Sequence, residues 1–402
     1  MTAAAPQPLR PFDDVVLDRT GADAVARHWL SEAITSAARG PGRFVLVTGE
    51  PGAGKTSLVA RLARDNPGWL RYFLRRDSVA TLAGTDVRSF LLSIGHELAT
   101  LRPELFAVEQ LSVVVTQQVD EVAAGGRVAG ITIDDLTISP FHQTAVLRVE
   151  QRVGHNAGMV GGIEIGTANL EPRLLEPANL AALALIGPAE VLRRTDPTAT
   201  LVILLDGLDE AVGQPEASSL LDWLTGGAEL PPNVRVVLTS RPVTELDRLR
   251  SARAGQLTEI TIDPQSREVV SDLVSYAERE LGNPAIADAV RDAGTHLDDF
   301  HRQAVRRADG NFLHISAYAR ALGDAVRAGD AELSRRLIAG DEIPSGLAGL
   351  YTFFIGVARA DLERSGALEI QDPTSPDDRT TPAWEGVGQP LLGVLTVARE
   401  PL

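Results

Sequence analysis

The chain has 402 residues, a formal net charge of −16 from 38 basic and 54 acidic side chains, and no cysteine. The lack of cysteine excludes a disulfide framework, a thiol nucleophile and a cysteine-based metal site. No apolar run reaches the ~18 residues of a membrane span, the N-terminus does not read as a secretory signal, and the acidic balance argues against nucleic-acid and anionic-membrane partners. We therefore expect a cytoplasmic globular protein of two or three domains.

The only lysine of the chain, Lys55, lies in a glycine-rich segment that follows an N-terminal segment over residues 1–42. Residues 44–47 are an apolar run that predicts a buried strand, and apolar residues at helical spacing follow Lys55. In such a strand–loop–helix context, backbone N–H groups surround phosphate oxygens, Lys55 reaches the β- and γ-phosphates, and the Thr56 hydroxyl ligates Mg²⁺. The sequence predicts a phosphate-binding loop made of Gly49, Glu50, Pro51, Gly52, Ala53, Gly54, Lys55, Thr56 and Ser57.

An internal repeat with a period of 32–34 residues occupies much of the chain after this loop. The segment from Gly130 to Pro140 and the segment from Gly162 to Pro172 have the same length and similar sequences. Alternating apolar and polar residues predict strands. We expect a small antiparallel β insertion over about 113–173, built from two hairpin-like units. It either docks a partner or a neighbouring protomer, or is a decoration without a binding role.

A second acidic motif follows a continuous apolar strand predicted over residues 201–205. Asp206 stands at the carboxyl end of this strand, where ligands bind in open α/β sheets, and Asp209 and Glu210 follow it. We expect Asp206 to hold Mg²⁺ through water, and either Asp209 or Glu210 to orient the attacking water. The strand predicted over 234–238 ends in a polar cluster, in which Arg241 would compensate the charge of a γ-phosphate.

The rest of the chain has mostly helical patterns. We expect a helical lid domain over 256–345, with one amphipathic helix at 267–281, after a nucleotide-binding core over 43–255 that contains the β insertion. Residues 346–402 resemble the start of a winged-helix region that is incomplete, so the sequence would be a fragment or a short form. The predicted fold class is α/β, a P-loop NTPase with a parallel sheet that resembles the AAA+ type.

These motifs together resemble the NACHT-type members of the signal-transduction ATPases with numerous domains, the STAND class. Small Gly207 follows Asp206, and residues 239–242 (TSRP) are similar to the sensor motif of that family. Residues 308–313 (ADGNFL), which include Asn311, resemble the stretch that its lid places near the nucleotide. Residues 343–347 resemble the segment that leads into its winged helix. Arg19 lies where the family has an adenine-proximal element, with Asp18 in place of its glycine.

The resemblance implies a switch that binds ATP or ADP with Mg²⁺, hydrolyses ATP slowly, and self-associates when an unknown protein or ligand activates it. The first alternative is an AAA+ ATPase of the origin-recognition type that acts on DNA. The net charge of −16, Gly207 and the incomplete winged helix argue against it. The second alternative is a nucleotide-binding scaffold that does not hydrolyse.

Overall fold

The structure is a computed structural model. It describes residues 10–21, 25–74, 84–106, 112–123, 126–137, 146–157, 159–169, 176–213, 219–227, 229–339, 345–365, 370–371, 380–382 and 384–397. Pro140, Pro172 and residues 343–344 of the predicted sequence features lie outside these ranges.

The strands are β1 (Phe44–Thr48), β2 (Leu70–Phe73), β3 (Ser112–Val122), β4 (Arg127–Thr137), β5 (Val146–Asn156), β6 (Met159–Asn169), β7 (Leu201–Asp206), β8 (Val234–Ser240), β9 (Leu257–Thr261), β10 (Ile370–Gln371) and β11 (Thr380–Thr381). The first helices are α1 (Asp13–Arg19), α2 (His28–Arg39), α3 (Lys55–Asp65), α4 (Val87–Leu101), α5 (Pro177–Ala181), α6 (Gly187–Thr195), α7 (Leu220–Asp222) and α8 (Leu246–Ala252). They are followed by α9 (Arg267–Leu281), α10 (Pro284–Asp292), α11 (Leu297–Ala308), α12 (Phe312–Ala328), α13 (Ala331–Ile338), α14 (Gly346–Ser365) and α15 (Gln389–Val397). None of these helices is long and apolar enough to cross a membrane.

Five parallel strands form the central sheet in the order β2-β7-β8-β1-β9. The predicted α/β fold with a parallel sheet is confirmed, as are the strands predicted at 44–47, 201–205 and 234–238. Alternate residues of β1 face opposite sides of the sheet, so Phe44 and Leu46 join one buried apolar cluster while Val45 and Val47 join the other. Burial on both faces explains why the strands are continuous apolar runs rather than alternating ones.

The order of the sheet decides which loops meet. Strand β8 lies between β1 and β7, so the polar end of β8 stands between the loop after β1 and the carboxylate of Asp206 at the end of β7. In a parallel sheet the carboxyl ends of neighbouring strands share one edge. Residues far apart in the chain, at positions 48, 206 and 240, are therefore brought to one place.

Helices α9 to α13 form a region with a core of its own. The core includes Leu273, Phe300, Ile315, Tyr318 and Leu322, all fully buried. The hydroxyl of Tyr318 donates a 2.7 Å hydrogen bond to the carbonyl oxygen of Leu337, which joins α12 to the end of α13. The helix predicted at 267–281 is confirmed with the same bounds.

The prediction of an antiparallel, hairpin-like insertion is wrong. Strand β3 pairs with β5 in parallel, and β4 pairs with β6 in parallel. Within the described residues, β3 and β4 form no ladder with each other, and neither do β5 and β6. Alternation of apolar and polar residues indicates a strand but does not identify its partner. The internal repeat determines the pairing, because stacking one copy on the other aligns equivalent residues.

Candidate functional site

The phosphate-loop segment connects β1 to the start of α3. Gly52 and Gly54 adopt left-handed backbone conformations, with φ of 81° and 80°, which favour glycine. The ammonium of Lys55 donates hydrogen bonds to the carbonyl oxygens of Gly49 (2.6 Å) and Glu50 (3.0 Å). Burial lowers the pKa of Lys55, while nearby Asp209 and Asp206 oppose that shift. The loop is therefore curled around one charged amine at a helix N-terminus.

The carboxylate of Asp206 is held by two hydroxyl groups. Thr56 Oγ1 donates to Asp206 Oδ2 (2.7 Å), and Thr239 Oγ1 donates to Asp206 Oδ1 (2.5 Å). The backbone N–H of Gly207 donates in turn to Thr239 Oγ1 (3.1 Å). Burial raises the pKa of Asp206, and the hydrogen bonds from Thr239 and Thr56 offset part of that rise. Thr239, on the strand between β1 and β7, thus fixes the orientation of the carboxylate.

Asp209 and Glu210 lie on a short 3₁₀ turn, Leu208–Ala211, directly after β7. Asp209 Oδ1 accepts a hydrogen bond from the backbone N–H of Arg241 (3.0 Å), and its Oδ2 lies 3.1 Å from Arg241 Nε. Glu210 Oε1 lies 3.6 Å from Arg241 Nη2. Asp209 is 10% exposed and Glu210 is 32% exposed. Both oxygens of Asp209 are thus occupied by Arg241, while Glu210 is the more accessible carboxylate.

Two adjoining cavities open beside these groups. The larger, of about 690 Å³, is lined by the loop residues from Pro51 to Ser57 except Ala53, by Asp206, Asp209, Glu210 and Arg241, and by Tyr276, Phe312 and Tyr351. The smaller, of about 220 Å³, is lined by residues of 18–27 and by side chains of α3. Arg19, Gly54, Ser57, Tyr276 and Phe312 line both. The size and the mixed lining suit a ligand with an apolar part and an anionic part.

Asn311 lines neither of these two cavities; it contacts the phosphate loop itself. Its Nδ2 donates to the carbonyl oxygen of Pro51 (2.8 Å), and its Oδ1 accepts from His314 N–H (3.1 Å) as the N-cap of α12. The backbone N–H of Phe312 donates to the carbonyl oxygen of Gly52 (3.0 Å). The helical region is thus hydrogen-bonded to the backbone of the loop.

Arg27 is a further residue of this site that the sequence analysis missed. Its Nη1 donates to the carbonyl oxygen of Ala53 (2.7 Å), and its Nε donates to Asp272 Oδ2 (3.3 Å) in α9. Its guanidinium lies over the Phe312 ring, 5.1 Å from the ring centre. The side chain is 6% exposed. No sequence signal singled it out, because nearly every basic residue of this chain is an arginine.

Comparison with known proteins agrees with this geometry. Residues 27–237 match the family described as the AAA ATPase domain, which is more than half of the 402 residues. The chain belongs to this AAA ATPase family.

Several solved structures are similar to the chain, each at low identity. The Walker-type ATPase PABY2304 of Pyrococcus abyssi is 12% identical over 86% of this chain and 75% of its own, with a TM-score of 0.41. Domain III of the Thermotoga maritima replication initiation protein DnaA is 14% identical over 84% and 99%, with a TM-score of 0.33. Cdc6p from Pyrobaculum aerophilum is 15% identical over 98% and 96%, with a TM-score of 0.32. No curated protein matches the chain.

Proposed function

We propose that this chain is a nucleotide-controlled switch of the NACHT-type STAND class within the AAA ATPases. It would bind ATP or ADP with Mg²⁺, hydrolyse ATP slowly, and use the nucleotide to set the position of its helical region. Opening would then permit self-association in response to a protein or ligand activator. The observation that carries the proposal is the pair of hydrogen bonds from Asn311 and Phe312 to the phosphate loop.

The donor set suits a nucleotide and its cation. The loop supplies the amine of Lys55 and the backbone N–H groups at the start of α3, which favour phosphate oxygens. Thr56 Oγ1 and Asp206 Oδ2, 2.7 Å apart, are hard oxygen ligands of the kind that Mg²⁺ prefers, and would hold it directly or through water. The cation would neutralise phosphate charge during hydrolysis. Arg19, at the junction of the two cavities, would lie beside the nucleoside.

The same geometry supports a division of roles between the two acids after β7. Asp209 would position Arg241, since both of its oxygens already engage that residue. Arg241 would compensate charge that develops on the γ-phosphate. Glu210, which is more exposed, would orient the attacking water. This assigns to Glu210 the role that the sequence leaves open between the two acids.

The proposed switch rests on a cavity that is lined by both the phosphate loop and the helical region. A nucleotide can shift a conformational equilibrium only by making different contacts in the two states. The larger cavity is lined both by the loop and by α9, α12 and α14, through Tyr276, Phe312 and Tyr351. A bound nucleotide would therefore contact the core and the helical region together.

The decisive test compares hydrogen exchange of the helical region with ADP, with ATP and Mg²⁺, and without nucleotide. We expect exchange in residues 309–316 to be slower with ADP than with ATP. Lys55→Ala is the control and should remove both responses. A wild-type protein that binds neither nucleotide would overturn the proposal. Nucleotide binding without release of phosphate would favour the alternative of a nucleotide-binding scaffold that does not hydrolyse. Salt-sensitive binding to duplex DNA would favour the alternative of an AAA+ ATPase of the origin-recognition type.

A further inference from the structure

The described strands of the β insertion have unpaired edges at its two opposite ends. Strands β3 and β5 form one two-stranded sheet, and β4 and β6 form a second. Each described strand therefore has one neighbour, and its other edge carries N–H and C=O groups without a ladder partner in the described part of the chain. All four strands have 11 residues, longer than most strands in globular proteins. Long unpaired edges of this kind are templates for another chain.

The insertion also shows what such an edge pairs with. Ser112 aligns with Val146, an offset of 146 − 112 = 34 residues, and Arg127 aligns with Met159, an offset of 159 − 127 = 32 residues. These offsets equal the period of the sequence repeat, so the second repeat is stacked on the first in register. The first repeat of a neighbouring copy would present to β5 and β6 the same residues that they already pair with.

The charges are compatible with continuing this stack. Arg152 aligns with Gln118, Glu164 aligns with Thr132, and no two like charges are paired in either ladder. Among the aligned pairs, the one in which both side chains are ionisable joins Glu121 to His155. Continuing the stack would repeat these pairs between copies and keep identical residues two strands apart. Like charges directly opposite one another, which destabilise sheets, would be avoided.

We propose that the insertion joins copies of this chain head to tail, with the β5–β6 end of one copy pairing in parallel with the β3–β4 end of the next. The inference deepens the self-association in the proposed function and rests on it, and it identifies the surface that forms the contact. Because the two ends differ, the contact is heterologous, and it produces a ring or an open filament rather than a two-fold dimer.

The absence of cysteine makes the contact testable by disulfide crosslinking in the 402-residue chain. Gln118 and Arg152 are exposed and aligned in register, so Gln118→Cys in one preparation and Arg152→Cys in another place a single thiol on each end. Neighbouring strands lie ~4.8 Å apart, which fits a disulfide, whereas identical residues two strands apart are separated by ~9.6 Å. No disulfide can form within a chain.

We expect the mixture of Gln118→Cys and Arg152→Cys to form a disulfide-linked species of twice the chain mass, and each variant alone to form none. The matched control is Asp120→Cys mixed with Arg152→Cys, because Asp120 is exposed on the same strand but two residues out of register, ~8 Å away. The stack would be overturned if the control crosslinks equally, or if Gln118→Cys alone crosslinks to itself. It would also be overturned if the mixture of Gln118→Cys and Arg152→Cys does not crosslink under any of three conditions, with ATP, with ADP and without nucleotide.

The same crosslinking on a Lys55→Ala background separates the two proposals. Crosslinks that respond to nucleotide in the chain with Lys55 intact, and not with Lys55→Ala, support both. If the chain with Lys55 intact binds no nucleotide and still forms crosslinks of the predicted register, the stack stands and the switch is overturned. A chain whose helical region responds to nucleotide but forms no such crosslink keeps the switch and overturns the stack.

Discussion

Asn311 Nδ2 lies 2.8 Å from the carbonyl oxygen of Pro51, so the residue that begins helix α12 is also hydrogen-bonded to the phosphate loop. The same side chain caps α12 through its Oδ1. One residue therefore couples the start of a helix in the helical region to the position of the loop. A change in the conformation of the loop would therefore act directly on the N-cap of α12, without any intermediate residue.

Asn311→Ala tests this coupling. Loss of the N-cap should cost about 1 kcal/mol of folding free energy. Loss of the bond to Pro51 should in addition speed hydrogen exchange in residues 51–54 and the release of bound ADP. Asp330→Ala is the matched control, because Asp330 caps α13 by accepting from Leu333 N–H (2.9 Å) and lies beyond the end of α12 opposite to Asn311. Equal effects of both variants on ADP release would contradict the coupling.

Gly52→Ala should disturb the same contact from the other side. A Cβ at this position would stand 2.2 Å from Asn311 Oδ1, and the φ of 81° is unfavourable for alanine by about 1–2 kcal/mol. We expect a lower melting temperature and weaker nucleotide binding. Gly255→Ala has the same φ of 81° with nothing within 4 Å of the new Cβ, so it should show the backbone strain alone. Partial recovery of binding in Gly52→Ala/Asn311→Ala would show that the clash is the cause.

Lys55→Ala should weaken ATP binding by about 2–3 kcal/mol, or roughly 30- to 150-fold in Kd, because it removes a charged donor from the loop. Lys55→Arg should recover little of this, since a planar guanidinium does not reproduce a compact ammonium. Isothermal titration calorimetry provides the measurement. Arg64→Ala, an exposed residue near the end of the same helix, is the control and should bind as the unaltered chain does.

Glu210→Gln and Asp209→Asn should separate the two acids. Glu210→Gln is expected to bind ATP normally and to lose phosphate release in single-turnover assays. The reason is that the amide of Gln is a weaker hydrogen-bond acceptor for the attacking water than the carboxylate of Glu. Asp209→Asn is expected to reduce the rate less, since it retains an oxygen that can accept from Arg241 N–H. An unchanged rate in Glu210→Gln would transfer the water-orienting role to Asp209.

Arg27→Ala should destabilise the fold by about 3 kcal/mol, because it breaks an ion pair whose guanidinium is buried and leaves the partly buried Asp272 with fewer donors. Asp272 keeps its hydrogen bond from Trp29 Nε1 (2.9 Å), which limits the loss. Urea unfolding checks the effect. Arg291→Ala breaks an exposed pair with Asp288 and should leave the midpoint unchanged. Similar midpoints for both variants would show that Arg27 does not join the loop to α9.

Local patterns predicted much of the core fold. Continuous apolar runs predicted β1, β7 and β8, because strands buried on both faces of a parallel sheet need apolar residues at every position. The loop around Lys55 could be predicted as a phosphate-binding segment because its glycines and its lysine are adjacent in sequence. The same holds for Asp206, Asp209 and Glu210, which lie close together in sequence at the end of one strand and just after it.

Only the tertiary structure decided how separate segments meet. Period-2 alternation indicated strands in the insertion but could not distinguish a hairpin from a parallel stack, since both expose the same side chains. Arg27 could not be found, because its contacts with Ala53 and Asp272 join residues 26 and 245 positions away. Thr239 meets Asp206 because β8 lies between β1 and β7, and strand order is a property of the whole sheet. The sequence by itself determined which chemical groups this protein has, and the packing of the sheet and helices determined which of them act together.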